Sequence, residues 1–352
     1  MKLSRIVLPA AVITAGGMAA GAIVCSAAIA AAGIFTARKL ARAMRPRFDL
    51  RGKIVLITGG SRGLGLALAR EFAHAGSRVA ICARDAQELD EAAHRISATP
   101  FVCDITDREN VSALVHEMID RFGRIDILIN NAGEISVGPF DSFERADFER
   151  AMNTMFWGHV DMTLAALPHI RAAHGHIVNI TSIGGRVSVP RLLPHCCAKF
   201  AFAAFSDGLA VELHREKIHV LTVVPGLMRT GSYLQAKFKG DAEHEFNWFG
   251  ISANLPGITA SAGRAARQIR NAVESGRMNL TITWPAKLLM RADAMFPELN
   301  RRAMALVNEY ILPSPDDAHR EVSGHDLHQS SIFQAFTKLG RSAAVELNEV
   351  RS

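Results

Sequence analysis

From Ile6 to Ala37 the chain carries no charged residue, and after Asp49 its texture changes to short apolar runs alternating with stretches of helical spacing. The runs KIVLIT (53–58), RVAICA (78–83), PFVC (100–103), IDILIN (125–130), HIVNIT (176–181) and HVLTVV (219–224) are short, β-branched and bounded by turn residues. Such runs predict buried strands. Between the strands, LGLALAREFAHAG sets Leu64, Leu68 and Phe72 at i, i+4 and i+8, one face of a helix. Strands that are apolar throughout and alternate with helices predict a parallel sheet covered on both faces. Right-handed crossovers then give an α/β fold, a doubly wound parallel sheet of Rossmann type, over residues 49–285. NLTITW (279–284) predicts a last edge strand, and no internal repeat interrupts the pattern.

The two ends differ from this middle. About 20 apolar residues span a bilayer, so residues 6–37 are long enough. A cleaved signal peptide and a buried alanine-rich helix are the competing readings. A retained anchor is preferred, because the run exceeds a signal core and Arg38, Lys39, Arg42, Arg45 and Arg47 follow it. That basic flank predicts a single-pass topology with the C-terminal bulk in the cytoplasm. Gly17 and Gly21 form a GxxxG pair, which chance explains in so small-residue-rich a stretch. Residues 286–311 are amphipathic and basic, and are expected to pack on the domain, with a membrane surface as the alternative. After Pro313 the chain turns polar and loses periodicity, which predicts a largely disordered tail. The expected organisation is therefore an anchor and flank (1–48), one catalytic-type domain (49–285), and an amphipathic helix with a tail (286–352).

Composition changes little in this picture. The net charge of +6 and the pI near 9.3 raise the question of nucleic acid, but outside the flank the basic residues are scattered, which argues against it. The 5 cysteines have no CxxC or metal spacing, which fits free thiols in a reducing compartment. The histidines form no ligand pattern. His169, His174 and His176 are expected to be solvated at a helix-to-strand turn, and no metal is expected.

The loop TGGSRGLG (58–65) follows the first strand and opens a helix, where glycines let backbone N–H groups approach a pyrophosphate. With NNAG at Asn130–Gly133 and the Pro225–Gly226…Thr230 segment, this loop resembles the short-chain dehydrogenase/reductase family, closely over roughly 50–230 and more loosely to 310. The resemblance implies NAD(H) or NADP(H) binding through Thr58, Gly59, Ser61, Arg62, Gly63, Leu64, Gly65, Asn131, Ala132, Gly133, Pro225, Gly226 and Thr230, with Asp104 at the adenine. It also implies a homodimer or homotetramer built through the helices after Met155 and His195. An acid ending the second strand would favour NAD, but Ala83 and then Arg84 stand there. Arg84 and Arg62 beside the 2′ position suit a phosphate, so NADP(H) is favoured over NAD(H).

The family's catalytic Ser, Tyr and Lys correspond here to Ser182, His195 and Lys199, so histidine replaces the expected proton donor. The family's Asn position falls on Met155, and Asn153, two residues away, would point to nearly the opposite side of a helix. Imidazole is an able acid–base group, yet it is shorter than phenol, and the charge of Lys199 disfavours imidazolium. Cys196 and Cys197 read as packing residues, and Cys82 and Cys103 as buried core. Phe238, Phe246, Trp248 and Phe249 either line an apolar substrate pocket or simply pack a lid. Two functions stay open. One is a membrane-anchored oxidoreductase acting on an apolar carbonyl or alcohol, weakly if His195 is a poor donor. The other is a non-catalytic NADP(H)-binding sensor or scaffold.

Overall fold

The computed structural model describes residues 47–312, 316 and 318–350. Residues 6–37, and the anchor expected there, lie outside them. Among the described residues no helix is long and apolar enough to cross a membrane.

From Phe48 onward the chain is one unit. Seven strands form its main sheet: β1 (Ile54–Thr58), β2 (Arg78–Ala83), β3 (Thr99–Val102), β4 (Ile127–Asn130), β5 (His176–Ile180), β6 (His219–Val224) and β7 (Asn279–Thr281). Their order is β7-β6-β5-β4-β1-β2-β3, and every pair is parallel. The expected strands are all present, the first six within two residues at each end, and β7 is the expected edge but stops at Thr281, three residues short. The helices are α1 (Gly63–His74), α2 (Ala86–Ile96), α3 (Arg108–Phe122), α4 (Arg145–Met152), α5 (Gly158–Ala173), α6 (Leu193–Glu212), α7 (Ala242–Asn254), α8 (Ala262–Glu274), α9 (Trp284–Met295), α10 (Pro297–Tyr310) and α11 (Ser331–Glu346).

Strand pleating explains why both faces are covered. On β1, Val55 and Ile57 enter one core with Leu66 and Phe72 of α1 and Ile269 of α8. Ile54 and Leu56 enter the opposite core with Leu114 of α3 and Met162 of α5. Asp85 and Asp107 cap α2 and α3, each accepting a backbone N–H, which stabilises a helix start by about 1 kcal/mol. Strand order reverses beside β1, and ligands of such sheets bind outside the strand C-termini at that reversal.

Three expectations are corrected. His176 is buried at the start of β5, stacked on His219 and tilted against Phe48, because the strand begins at that residue. Residues 286–311 do not pack onto the domain as one helix. They divide at Phe296–Pro297, where proline disfavours helical geometry in the residue before it, and only Ala286 and Asn300 are buried. The described residues of the polar tail are structured: Val322–Ser323 pairs with Lys237–Phe238, and Phe333 and Ala344 of α11 share a core with Tyr233 and Phe246.

Candidate active site

The loop between β1 and α1 turns through left-handed backbone at Gly59 (φ 64°) and Gly63 (φ 56°), conformations that glycine adopts without penalty. A Cβ on Gly65 would overlap the carbonyl oxygen of Gly59, so the helix can start this close to the strand only with glycine there. Thr58 Oγ1 accepts the N–H groups of Asn131 (2.9 Å) and Ala132 (3.1 Å), while Asn131 Nδ2 donates to the carbonyls of Thr58 and Gly59. Thr58 is thus a fully buried tie between the ends of β1 and β4 and is not itself part of the cavity wall.

A cavity of about 1070 Å³ opens above these strand ends. Sites for small molecules and cofactors usually measure about 300–1,000 Å³, so this one has room for a dinucleotide. Its wall contains Gly59, Ser61, Arg62, Gly63, Leu64, Gly65, Arg84, Asp104, Asn131, Ala132, Gly133, Pro225, Gly226 and Thr230, together with Ser182, His195 and Lys199. The residues therefore fit a nicotinamide dinucleotide: a glycine-rich backbone cradle at a helix N-terminus, exposed cationic Arg84, and a lysine at the far end. Arg62 is already engaged, its Nη1 lying 3.0 Å from Glu88 Oε2, and Ser61 donates to the same carboxylate (2.5 Å). Arg84 sits exposed at the end of β2.

At the other end, Ser182 caps a 3-10 turn and its Oγ accepts the Gly184 N–H at 3.0 Å. A Cβ on Gly184 would stand 3.4 Å from both Ser182 Oγ and His195 Cδ2, so the two side chains flank that glycine. His195 Nδ1 lies 3.2 Å from the carbonyl oxygen of Glu134. Burial, then the charge of Lys199, drives the His195 pKa down to about 4. Lys199 donates to the Ile180 carbonyl at 2.9 Å, and burial lowers its own pKa to about 7. Asn153 is exposed and Met155 takes the inward position, as the helical spacing predicts. A π-helical turn, Asn153–Trp157, joins α4 to α5 there.

Burial raises the Cys196 thiol to about 11, so it is unreactive packing, whereas Cys197 is exposed and does not pack on the sheet. Cys82 is buried on β2, and Cys103 is buried just after β3. Of the lid aromatics only Phe249 reaches the cavity; Phe238 and Phe246 pack the lid core with Tyr233 and Phe333. Sequence reasoning missed His159, fully buried near Lys199, as well as Glu88, Glu134 and Glu349. His159 was legible only as one more helical histidine, and Glu349 lies in a stretch with no periodic signal.

Residues 53–239 match the family model described as short chain dehydrogenase. The chain is 37% identical over 192 residues to a fatty acyl-CoA reductase of Acinetobacter baylyi, a match spanning 52% of this chain and 65% of that one. It is 34% identical over 233 residues to 11-beta-hydroxysteroid dehydrogenase 1A of Arabidopsis thaliana, spanning 64% and 66%. It thus spans just under two thirds of the length of these relatives. A short-chain dehydrogenase structure from Streptomyces avermitilis superposes with a TM-score of 0.62 at 28% identity, covering 73% of this chain and 99% of that one. The match over more than half of its length settles the class: the chain belongs to the short-chain dehydrogenase family.

Proposed function

We propose that this chain is a membrane-anchored, NADP(H)-dependent oxidoreductase that interconverts an alcohol and a carbonyl on an apolar substrate. The observation that carries the reading is the convergence of Ser182, His195 and Lys199 on one end of a cavity whose other end is the glycine loop. A bound nicotinamide dinucleotide supplies the hydride acceptor or donor, held by the loop backbone, Asp104, Asn131, Lys199 and Thr230. Ser182 Oγ already accepts an N–H, which leaves its own proton to donate to the substrate oxygen. A carbonyl oxygen only accepts, so His195 Nδ1 carries the ring proton toward Glu134, and Nε2 of the neutral ring presents a lone pair. In that form His195 takes the proton of an alcohol as hydride leaves its carbon. Giving a proton to a carbonyl requires the imidazolium, which burial and Lys199 oppose.

The preference for NADP(H) is supported by Arg84, a cation at the end of β2 where an acid would favour NAD. Leu192, Leu227, Phe249 and Ala253 in the cavity wall support an apolar substrate, as do the acyl and steroid substrates in the names of the two relatives. Membrane attachment, with the catalytic domain on the cytoplasmic side, rests on the uncharged run 6–37 and its basic flank. The exposed stripes Trp284, Leu288, Met295 on α9 and Leu299, Leu306, Tyr310 on α10 add to it. Exposed Trp157, Leu164, Phe200 and Val211 support a homodimer through α5 and α6.

The neutral His195 also favours a second reading, a protein that binds NADP(H) without turnover. Assays of the full chain across alcohols with NADP⁺ and carbonyls with NADPH separate the two. Turnover that is lost in His195→Ala supports the enzyme; no turnover in the wild type with gain in His195→Tyr supports the second reading. Release of the full chain from membranes by carbonate would sink the anchor.

A further inference from the structure

Residues 347–349 lie on the glycine loop. The Leu347 carbonyl accepts the Gly63 N–H at 2.9 Å, taking the first free donor of α1. Asn348, in left-handed backbone (φ 61°), donates through Nδ2 to the carbonyls of Ser61 (3.3 Å) and Glu88 (3.4 Å). Glu349 is held by its own backbone, its N–H on the Ala344 carbonyl and its carbonyl accepting from Gln235 Nε2. Its side chain is only 4% exposed, and a Cβ on Gly63 would stand 2.5 Å from its Oε1. Its Oε2 has no hydrogen-bond partner among the described residues and lies 4.0 Å from Arg62 Nε. This buried carboxyl stands beside a helix N-terminus, the place where an anion would be seated.

We propose that Glu349 is a residue of the cofactor site that occupies the pyrophosphate seat at the start of α1 and competes with the dinucleotide for it. The inference rests on the cofactor reading above. Two like charges do not share one buried seat, so a dinucleotide binds when Glu349 is protonated or withdrawn. The charged groups facing the carboxyl are Arg62, which favours its ionised form, and Glu88, which opposes it; burial outweighs both and pushes its pKa up to about 8. Cofactor affinity therefore falls as pH rises through that value.

The test is NADPH titration of the full chain and of Glu349→Gln by calorimetry at pH 7 and pH 9. Lys199 and His195 titrate alike in both proteins, so the difference isolates Glu349. The two are expected to bind equally at pH 7, with the wild type about tenfold weaker than the variant at pH 9, as one proton linked at pH 8 requires. Equal affinities at both pH values overturn the role of Glu349 while leaving the cofactor reading intact. Failure of both proteins to bind NADPH or NADH overturns the cofactor reading and this inference with it.

Discussion

The ring of His195 donates through Nδ1 to the backbone carbonyl of Glu134, 3.2 Å away. This one contact places the ring proton on Nδ1 and leaves the lone pair on Nε2. At saturating cofactor, alcohol oxidation is expected to show no titration of His195 between pH 6 and 9, because the neutral ring persists well above its pKa of about 4, so any pH dependence there belongs to Lys199, whose pKa is about 7. Carbonyl reduction through imidazolium is expected to fall as pH rises, toward tenfold per unit. Initial rates in both directions across that range check this; a reduction rate flat with pH would remove His195 as the donor.

Arg84 is expected to set the cofactor preference. Charge-assisted hydrogen bonds contribute about 1.5–3 kcal/mol, so Arg84→Ala should weaken NADPH binding about 10- to 100-fold and leave NADH within a few fold. Fluorescence titration with both cofactors decides it, and equal losses would move the 2′-phosphate contact elsewhere. Arg62 matters less in this account, because Glu88 already holds it.

Arg191 and Glu245 pair at 3.1 Å with both side chains almost fully buried, joining the segment before the catalytic helix α6 to the lid helix α7. Removing one partner leaves a buried carboxylate uncompensated, at a cost of about 3–5 kcal/mol. Denaturant melts should show Arg191→Met strongly destabilised. Arg191→Met combined with Glu245→Gln should recover part of that loss, as coupled sites do.

His176 gives an acid-stability prediction. Both its ring nitrogens lack partners, and burial, then His219 and Lys53, lowers its pKa to about 3. The unfolded chain takes up the proton near pH 6.5 and the folded chain does not. The stability linked to this group is therefore complete above pH 6.5 and is lost progressively as pH falls toward 3, on the order of 1 kcal/mol per unit. His176→Phe, which keeps the ring stack, should flatten thermal stability against pH in that range. An unchanged slope would place the acid sensitivity on His159 and other groups.

What was legible in the sequence followed from local physics. Strand positions come from short-range apolar periodicity, and the glycine loop from backbone sterics that only glycine satisfies, so both were readable before any coordinates. The expectation for Asn153 and Met155 was equally local and agrees with the structure. His176 was misread because its burial comes from Phe48 and His219, one far earlier and one far later in the chain. The tail was misread for the same reason: Phe333 and Ala344 are apolar positions in a polar stretch, and their partners, Tyr233 and Phe246, lie on another part of the chain. Of the two readings left open for the aromatics, cavity wall and lid packing, Phe249 takes the first while Phe238 and Phe246 take the second, packed with Tyr233 and Phe333.

Asn348 reaches back 287 residues to Ser61, and this separation orders events on the ribosome. At about 5–20 residues per second, the glycine loop emerges roughly 15 seconds to one minute before the segment that lies across it. During that interval the nascent chain presents an uncovered nucleotide cradle. A dinucleotide that reaches it then meets no Glu349 carboxyl, so newly made and mature molecules are expected to differ in how readily they load once the pH exceeds about 8.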